Sequence, residues 1–278
     1  MDENRNSNIS SEHSEELLNI IENFRLMDDT FMSKVFEDKA CAELLLRVIL
    51  NRDDLTVVKV VSQFELKNLQ GRSARLDIYA FDEHGKQYDI EVQRSDDGAA
   101  PRRARYNSSL LDANLLNPGD KFDELPESYI IFITEHDVLK GGKPLYTVNR
   151  TISELDHAIF TDGSHIIYVN GEIRNGTALD ELMQDFFCKD PREMHYKVLS
   201  DRAGYFKKDK EGVDTMCKLV EDYGEKRARQ AAELASNERA VRMANNLWNK
   251  GERDLQQIAD LTDLPLDEVK KLFEGKTA

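Results

Sequence analysis

The chain has 278 residues, and its 53 Asp and Glu outnumber its 38 Lys and Arg, giving a net charge of −15. That balance counts against tight non-specific nucleic-acid binding, which needs many cations against phosphates; a local basic groove, or a carboxylate site that meets DNA through a bound metal, stays open. No stretch approaches the roughly 18 uninterrupted apolar residues of a membrane helix, and the spacing of Cys41, Cys188 and Cys217 fits neither a zinc ribbon nor a disulfide framework.

Residues 1–27 read as a flexible acidic lead. It lacks the basic and apolar regions of a secretion signal, so a cytoplasmic location is expected. Residues 31–50 predict one helix, because Phe31, Val35, Phe36, Ala40, Leu44, Leu45 and Val48 recur at three- and four-residue steps. Residues 55–61 are rich in β-branched side chains and predict a strand. Two alternating runs follow, 75–81 and 87–93. They form a hairpin if Glu83-His84-Gly85 is a three-residue loop with Gly85 left-handed. Residues 94–100 read as a loop, and Pro101 opens a helix to about Leu116, which Asn117-Pro118-Gly119-Asp120 stops. Residues 128–134 predict a buried strand, and 145–151 and 165–169 two more. Helix, three strands, helix, then strands is an α/β order.

After Gly176 the chain turns helical to about Gly251, much of it charged. Residues 255–261 and 266–273 are two short amphipathic helices joined by Thr262-Asp263-Leu264-Pro265, similar to a helix-turn-helix. They carry Asp254, Asp260, Asp263, Asp267 and Glu268, a poor charge for a major groove, so packing or oligomerisation is the favoured role.

The hairpin holds the chemistry. Side chains alternate along a strand, so Leu76, Ile78 and Ala80 share one face of the first run and leave Asp77 on the other. In the second run Tyr88, Ile90 and Val92 oppose Asp89, Glu91 and Gln93. The loop register pairs Asp82 with Lys86 and sets Asp77 across from Glu91, with Cβ atoms about 4.5–5.5 Å apart. Two like charges there would weaken the hairpin, and a divalent cation between them would reverse that. The plainer alternative is a pair of exposed carboxylates on a solvated face, with Asp89 a solvated neighbour or supporting group and Gln93 an ordinary polar residue. The six histidines include no i, i+4 pair, so zinc hydrolase chemistry has little support, and His84 reads as a turn residue.

An Asp, a Glu fourteen positions on, an apolar residue and a polar third member in this strand context resemble the PD-(D/E)XK nuclease site. More closely, the chain resembles the PD-(D/E)XK nuclease family transposases, the recombination-promoting nuclease group. Five matches carry this: Asp28-Asp29-Thr30-Phe31 with Lys34-Val35-Phe36, Leu76-Asp77-Ile78, Ile90-Glu91-Val92-Gln93, Arg103-Ala104-Arg105-Tyr106, and the closing stretch from Ile258 to Leu264. The resemblance implies a restriction-endonuclease-like αβββαβ core over residues 28–175, a helical extension over 176–251 and a helix-turn-helix-like tail over 252–278. It implies a Mg²⁺- or Mn²⁺-dependent DNA endonuclease, with Asp77, Glu91 and Gln93 catalytic and the metal on Asp77, Glu91 and the Val92 carbonyl. Gln93 stands where most of the superfamily has Lys; it can orient a water but carries no charge. A further acid from the first helix would be Glu43, with Glu37 and Asp38 as rivals. Arg103 and Tyr106, one helical turn apart, would meet a phosphate and a sugar of DNA; the alternative for Arg102, Arg103 and Arg105 is a solvated face. A homodimer would suit two nicks on a duplex. The competing reading is a weak or inactive relative that works by binding DNA, a partner protein or itself.

Overall fold

The computed structural model describes residues 14–68 and 71–275. Its strands are β1 (Val57–Leu66), β2 (Ala74–Asp82), β3 (Gln87–Gln93), β4 (Ser128–Thr134), β5 (Leu145–Val148), β6 (Thr151–Ile152), β7 (Ala158–Ile159) and β8 (Ser164–Asn170). Six of them form one sheet in the order β1-β2-β3-β4-β8-β5, and β6 pairs with β7. β1, β2 and β3 are antiparallel neighbours, β3, β4 and β8 run parallel, and β5 closes the edge antiparallel to β8. A parallel pair needs a crossover. Between β3 and β4 it is α4 (Pro101–Leu115), opened by Pro101 as the sequence predicts.

Residues 14–23, expected within a flexible lead, are helical (α1), and Ile21, Leu26 and Met27 are fully buried. The Met27 N–H donates to the Phe186 carbonyl at 3.2 Å. Leu17, Ile21 and Phe24 are spaced as one helical face, a signal that the polar, acidic composition of the segment outweighed. Residues 1–13 of that lead lie outside the described residues.

The single helix predicted over 31–50 is two, α2 (Asp29–Val35) and α3 (Lys39–Leu50). The break is chemical. Asp38 caps α3, its carboxylate accepting from the N–H groups of Ala40 and Cys41, so the chain restarts there. α3 packs on β1, with α5 (Ala178–Phe187) and α6 (Lys197–Lys208) against it. Phe36 stacks on Phe186 and Phe31 meets Phe206 edge-on.

On the other layer, Ala104, Leu110 and Leu111 of α4 pack with Ile130, Phe132 and Tyr168. Ile131 and Ile133 alternate with these along β4 and are buried as well. β4 is therefore covered on both faces, as its continuous apolar run requires.

The chain divides into two compact units, one up to Cys217 and one from Lys218, with the boundary inside α7 (Lys210–Asn249). In the second unit α8 (Leu255–Thr262) and α9 (Leu266–Phe273) match the two predicted tail helices. Ile258, Ala259, Leu264, Val269 and Phe273 form a core with Ala244 and Trp248 of α7, and Trp248 stacks on Phe273 at 4.3 Å. No helix among the described residues is long and apolar enough to cross a membrane.

Candidate active site

The β2–β3 register runs from Phe81↔Gln87 to Ile78↔Ile90, and Gly85 turns the loop at φ +80°. One step further along that register Asp77 comes level with Glu91. There the regular strand gives way. On β1, Ser62 pairs with Ile78 and Phe64 with Leu76, and between them Gln63 has φ +53°. A non-glycine residue in this region is strained, and such positions gather at functional sites. Leu76 and Tyr79 pack in the same core beneath α4, although strict alternation would put them on opposite faces. The phase slips at Asp77. Its carboxylate does not stand on a sheet face; Oδ2 accepts the Val92 N–H at 3.0 Å. That bond brings the Val92 main chain into the site.

Glu91 is fully buried and three side chains surround its carboxylate. Arg103 in the first turn of α4 pairs with its Oε2. Gln93 Nε2 donates to Oε2 at 3.2 Å, and Asn107 Nδ2 approaches Oε1 at 3.4 Å. Asn107 also donates to Asp89 Oδ2 at 3.2 Å. Gln93 completes the clamp: its Oε1 lies 3.4 Å from Arg103 Nη1, which donates to the Gly98 carbonyl at 3.0 Å. A Cβ on Gly98 would sit 2.0 Å from Gln93 Oε1, so the glycine leaves room for that amide. Asp89, expected to be solvated, is fully buried beneath α4, and its Oδ1 has no hydrogen-bond partner. Alternation identified its face correctly but could not show that a helix covers it.

Three carboxylates thus share Arg103, with Arg75 also acting on Asp77. Burial pushes Asp77 up to about 6, helped by the charge of Asp29 and opposed by the Val92 N–H and Arg103. Burial also raises Asp89, with Asn107 opposing and the Asp77 charge adding to the rise. Glu91 is raised by burial, then by the charges of Asp89 and Asp77, against Arg103. The values are lowered by N–H donors, by the arginines and, for Asp89, by a side-chain hydrogen bond with Glu91. The cluster is short of positive charge.

A second group of charges is balanced. Arg94 lies 2.9 Å from Asp28 and 3.4 Å from Glu135, and Arg25 lies 3.9 Å and 3.6 Å from the same two acids. This ties the N-terminus of α2 to the segments that leave β3 and β4, and so sets Asp29 near Asp77.

Other expected site residues lie elsewhere. Glu43 accepts the Val57 N–H at 3.0 Å and pairs with Arg47 at 2.9 Å, which spends both its oxygens at the start of β1. Its rivals are also engaged: Asp38 caps α3, and Glu37 pairs with Lys34 and accepts from Ser62. The acid from the first helical segment whose charge reaches Asp77 is Asp29 instead. Arg103 turns inward to Glu91, whereas Tyr106 turns to the β1–β2 connection, donating to the Arg72 carbonyl and accepting from Asn68. Asn107 carried no signal in the sequence. Its i+4 spacing from Arg103 on α4 is visible only once the buried face of that helix is known.

Among the described residues no three His, Cys, Asp or Glu side chains surround a point that a metal could fill. The donors nevertheless fit a hard divalent cation: three carboxylates, a deficit of positive charge and one buried oxygen without a partner.

A six-stranded mixed sheet whose helix–hairpin–helix–strand core gathers acids on the first half of β2 and along β3 is consistent with the PD-(D/E)XK restriction-endonuclease-like fold. Residues 33–260 match the PD-(D/E)XK nuclease family transposases, and the chain belongs to that family. No curated protein and no solved structure matches it significantly.

Proposed function

We propose that the protein is a metal-dependent DNA endonuclease that hydrolyses phosphodiester bonds, linked to mobile-element recombination. The observation that carries this is the cluster of buried Asp89 and Glu91 with the half-buried Asp77, in which Arg103 is the cation paired with Glu91, in a member of a nuclease family. Asp77 and Glu91, with the Val92 carbonyl, would hold Mg²⁺ or Mn²⁺. When bound, the ion supplies a water nucleophile near neutral pH and offsets charge on the phosphate. The chain's own groups do the rest. The Val92 N–H fixes one oxygen of Asp77 and so orients the other. Gln93 is held between Glu91 and Arg103 and directs a water by hydrogen bonds alone. Burial of Glu91 beneath α4 strengthens the interactions made with its carboxylate.

Plasmid cleavage with Mg²⁺ or Mn²⁺ tests this reading, with wild type compared with Asp77→Ala and Glu91→Ala. The expected result is cleavage by wild type and loss in both variants. Cleavage that survives both removes this site. The second reading, a weak or inactive relative acting by binding or self-association, is favoured by the uncharged Gln93 and by the Arg103–Glu91 pair. Calorimetry separates the two, since no metal binding at millimolar concentration favours the second.

A further inference from the structure

We propose that Arg103 is a built-in counter-cation, whose guanidinium occupies Glu91 while the site lacks a metal and yields that carboxylate when a divalent cation arrives. The inference rests on the metal reading above and adds a competitor within the chain. Glu91 would have to offer the cation its oxygens, yet Oε2 is taken by Arg103. The two partners differ in exposure. The Glu91 side chain is 0% exposed and that of Arg103 is 39% exposed. The guanidinium therefore reaches in from solvent on a long stem and has a way out, whereas the carboxylate has none.

The other ties on Arg103 are weaker. They are the Gly98 carbonyl and the Gln93 amide oxygen, both neutral, so leaving them breaks no second ion pair. Charge favours the exchange. Against Asp77, Asp89 and Glu91 stands the one charge that Arg103 brings, with Arg75 also acting on Asp77, and a divalent ion would supply twice what Arg103 does. The unpartnered Asp89 Oδ1 shows that the arginine-bound arrangement leaves acceptor capacity unused. Once released, the guanidinium remains in the first turn of α4, beside the site, where it can pair with a phosphate oxygen. A purely structural ion pair would behave differently, because its removal would leave the cation affinity unchanged or weaker.

Calorimetric titration of Mn²⁺ into the full-length protein decides this, with wild type, Arg103→Gln and Arg103→Lys compared. The proposal expects Arg103→Gln to bind on the order of tenfold more tightly, with Arg103→Lys between it and wild type. Equal or weaker binding by Arg103→Gln, with wild type binding, overturns the proposal and leaves the metal reading standing. Absence of binding in all three proteins overturns the metal reading and this proposal with it. If Arg103→Gln does not fold, ¹⁵N spectra of the wild-type arginine side chains replace it, with Arg103→Lys giving the assignment. The Arg103 signals should shift and sharpen as Mg²⁺ is added. Signals unchanged at metal saturation, with calorimetry reporting binding, overturn the proposal.

Discussion

Glu91, Asp89 and Asp77 are expensive residues to keep together, since each loses water and each repels the others. Their folded values lie above the ordinary 3.8 of Asp and 4.5 of Glu, because burial and neighbouring acids favour the neutral form. The folded state therefore binds protons that the unfolded chain has released. Stability from this source is fully present below the ordinary values and is lost as pH rises through the folded ones, first near 6 for Asp77 and then higher for the other two. The urea midpoint of the metal-free protein should fall between about pH 5 and about pH 8, with a shallower fall in Glu91→Gln. A midpoint that rises over that interval would contradict the assignment. At this scale the sequence showed that Asp77 and Glu91 come level on neighbouring strands, with Gln93 two residues beyond Glu91, because period-two alternation and loop length are local properties. It left Asp89 open between a solvated and a supporting group, of which burial removes the first, and passed over Asn107 and Asp29. Their roles depend on which helix lies over which strand, and no local pattern records that.

Elements broke where a side chain competed for the backbone. Asp38 ends the apparent helix over residues 31–50 by accepting two N–H groups of α3. Asp38→Ala should cost about 0.5–2 kcal/mol, read as a lower urea midpoint with unchanged slope. No change in midpoint would mean that packing of Leu45 and Leu46 alone starts the helix. The hairpin is the opposite case. Its turn and register followed from Gly85 and from the pattern of its strands, and both are present. The slip at Asp77 was not legible. It depends on the left-handed backbone of Gln63, and no glycine marks that position. The slip turns the Asp77 carboxylate toward the Val92 N–H, so one irregular residue on β1 shapes the site on β2 and β3.

At the scale of the molecule the chain forms two units of unequal size, and its single tryptophan, Trp248, lies in the smaller one. A domain of about 60 residues buries a smaller share of its surface than a larger one and is less stable for it. Unfolding followed by Trp248 fluorescence should therefore precede unfolding followed by far-ultraviolet circular dichroism, which the larger unit dominates. Coincident curves would show that the two units unfold together. The sequence alone determined the α/β order of the sheet core, the hairpin register and the family. Each of these is written in near neighbours: apolar periods, turn residues and short motifs. Only the tertiary structure decided which acids lose their water, that Arg103 turns inward, and that Glu43 is spent on the start of β1. Burial and ion pairing arise between residues far apart in the chain, so they come into being only when the helices close over the sheet.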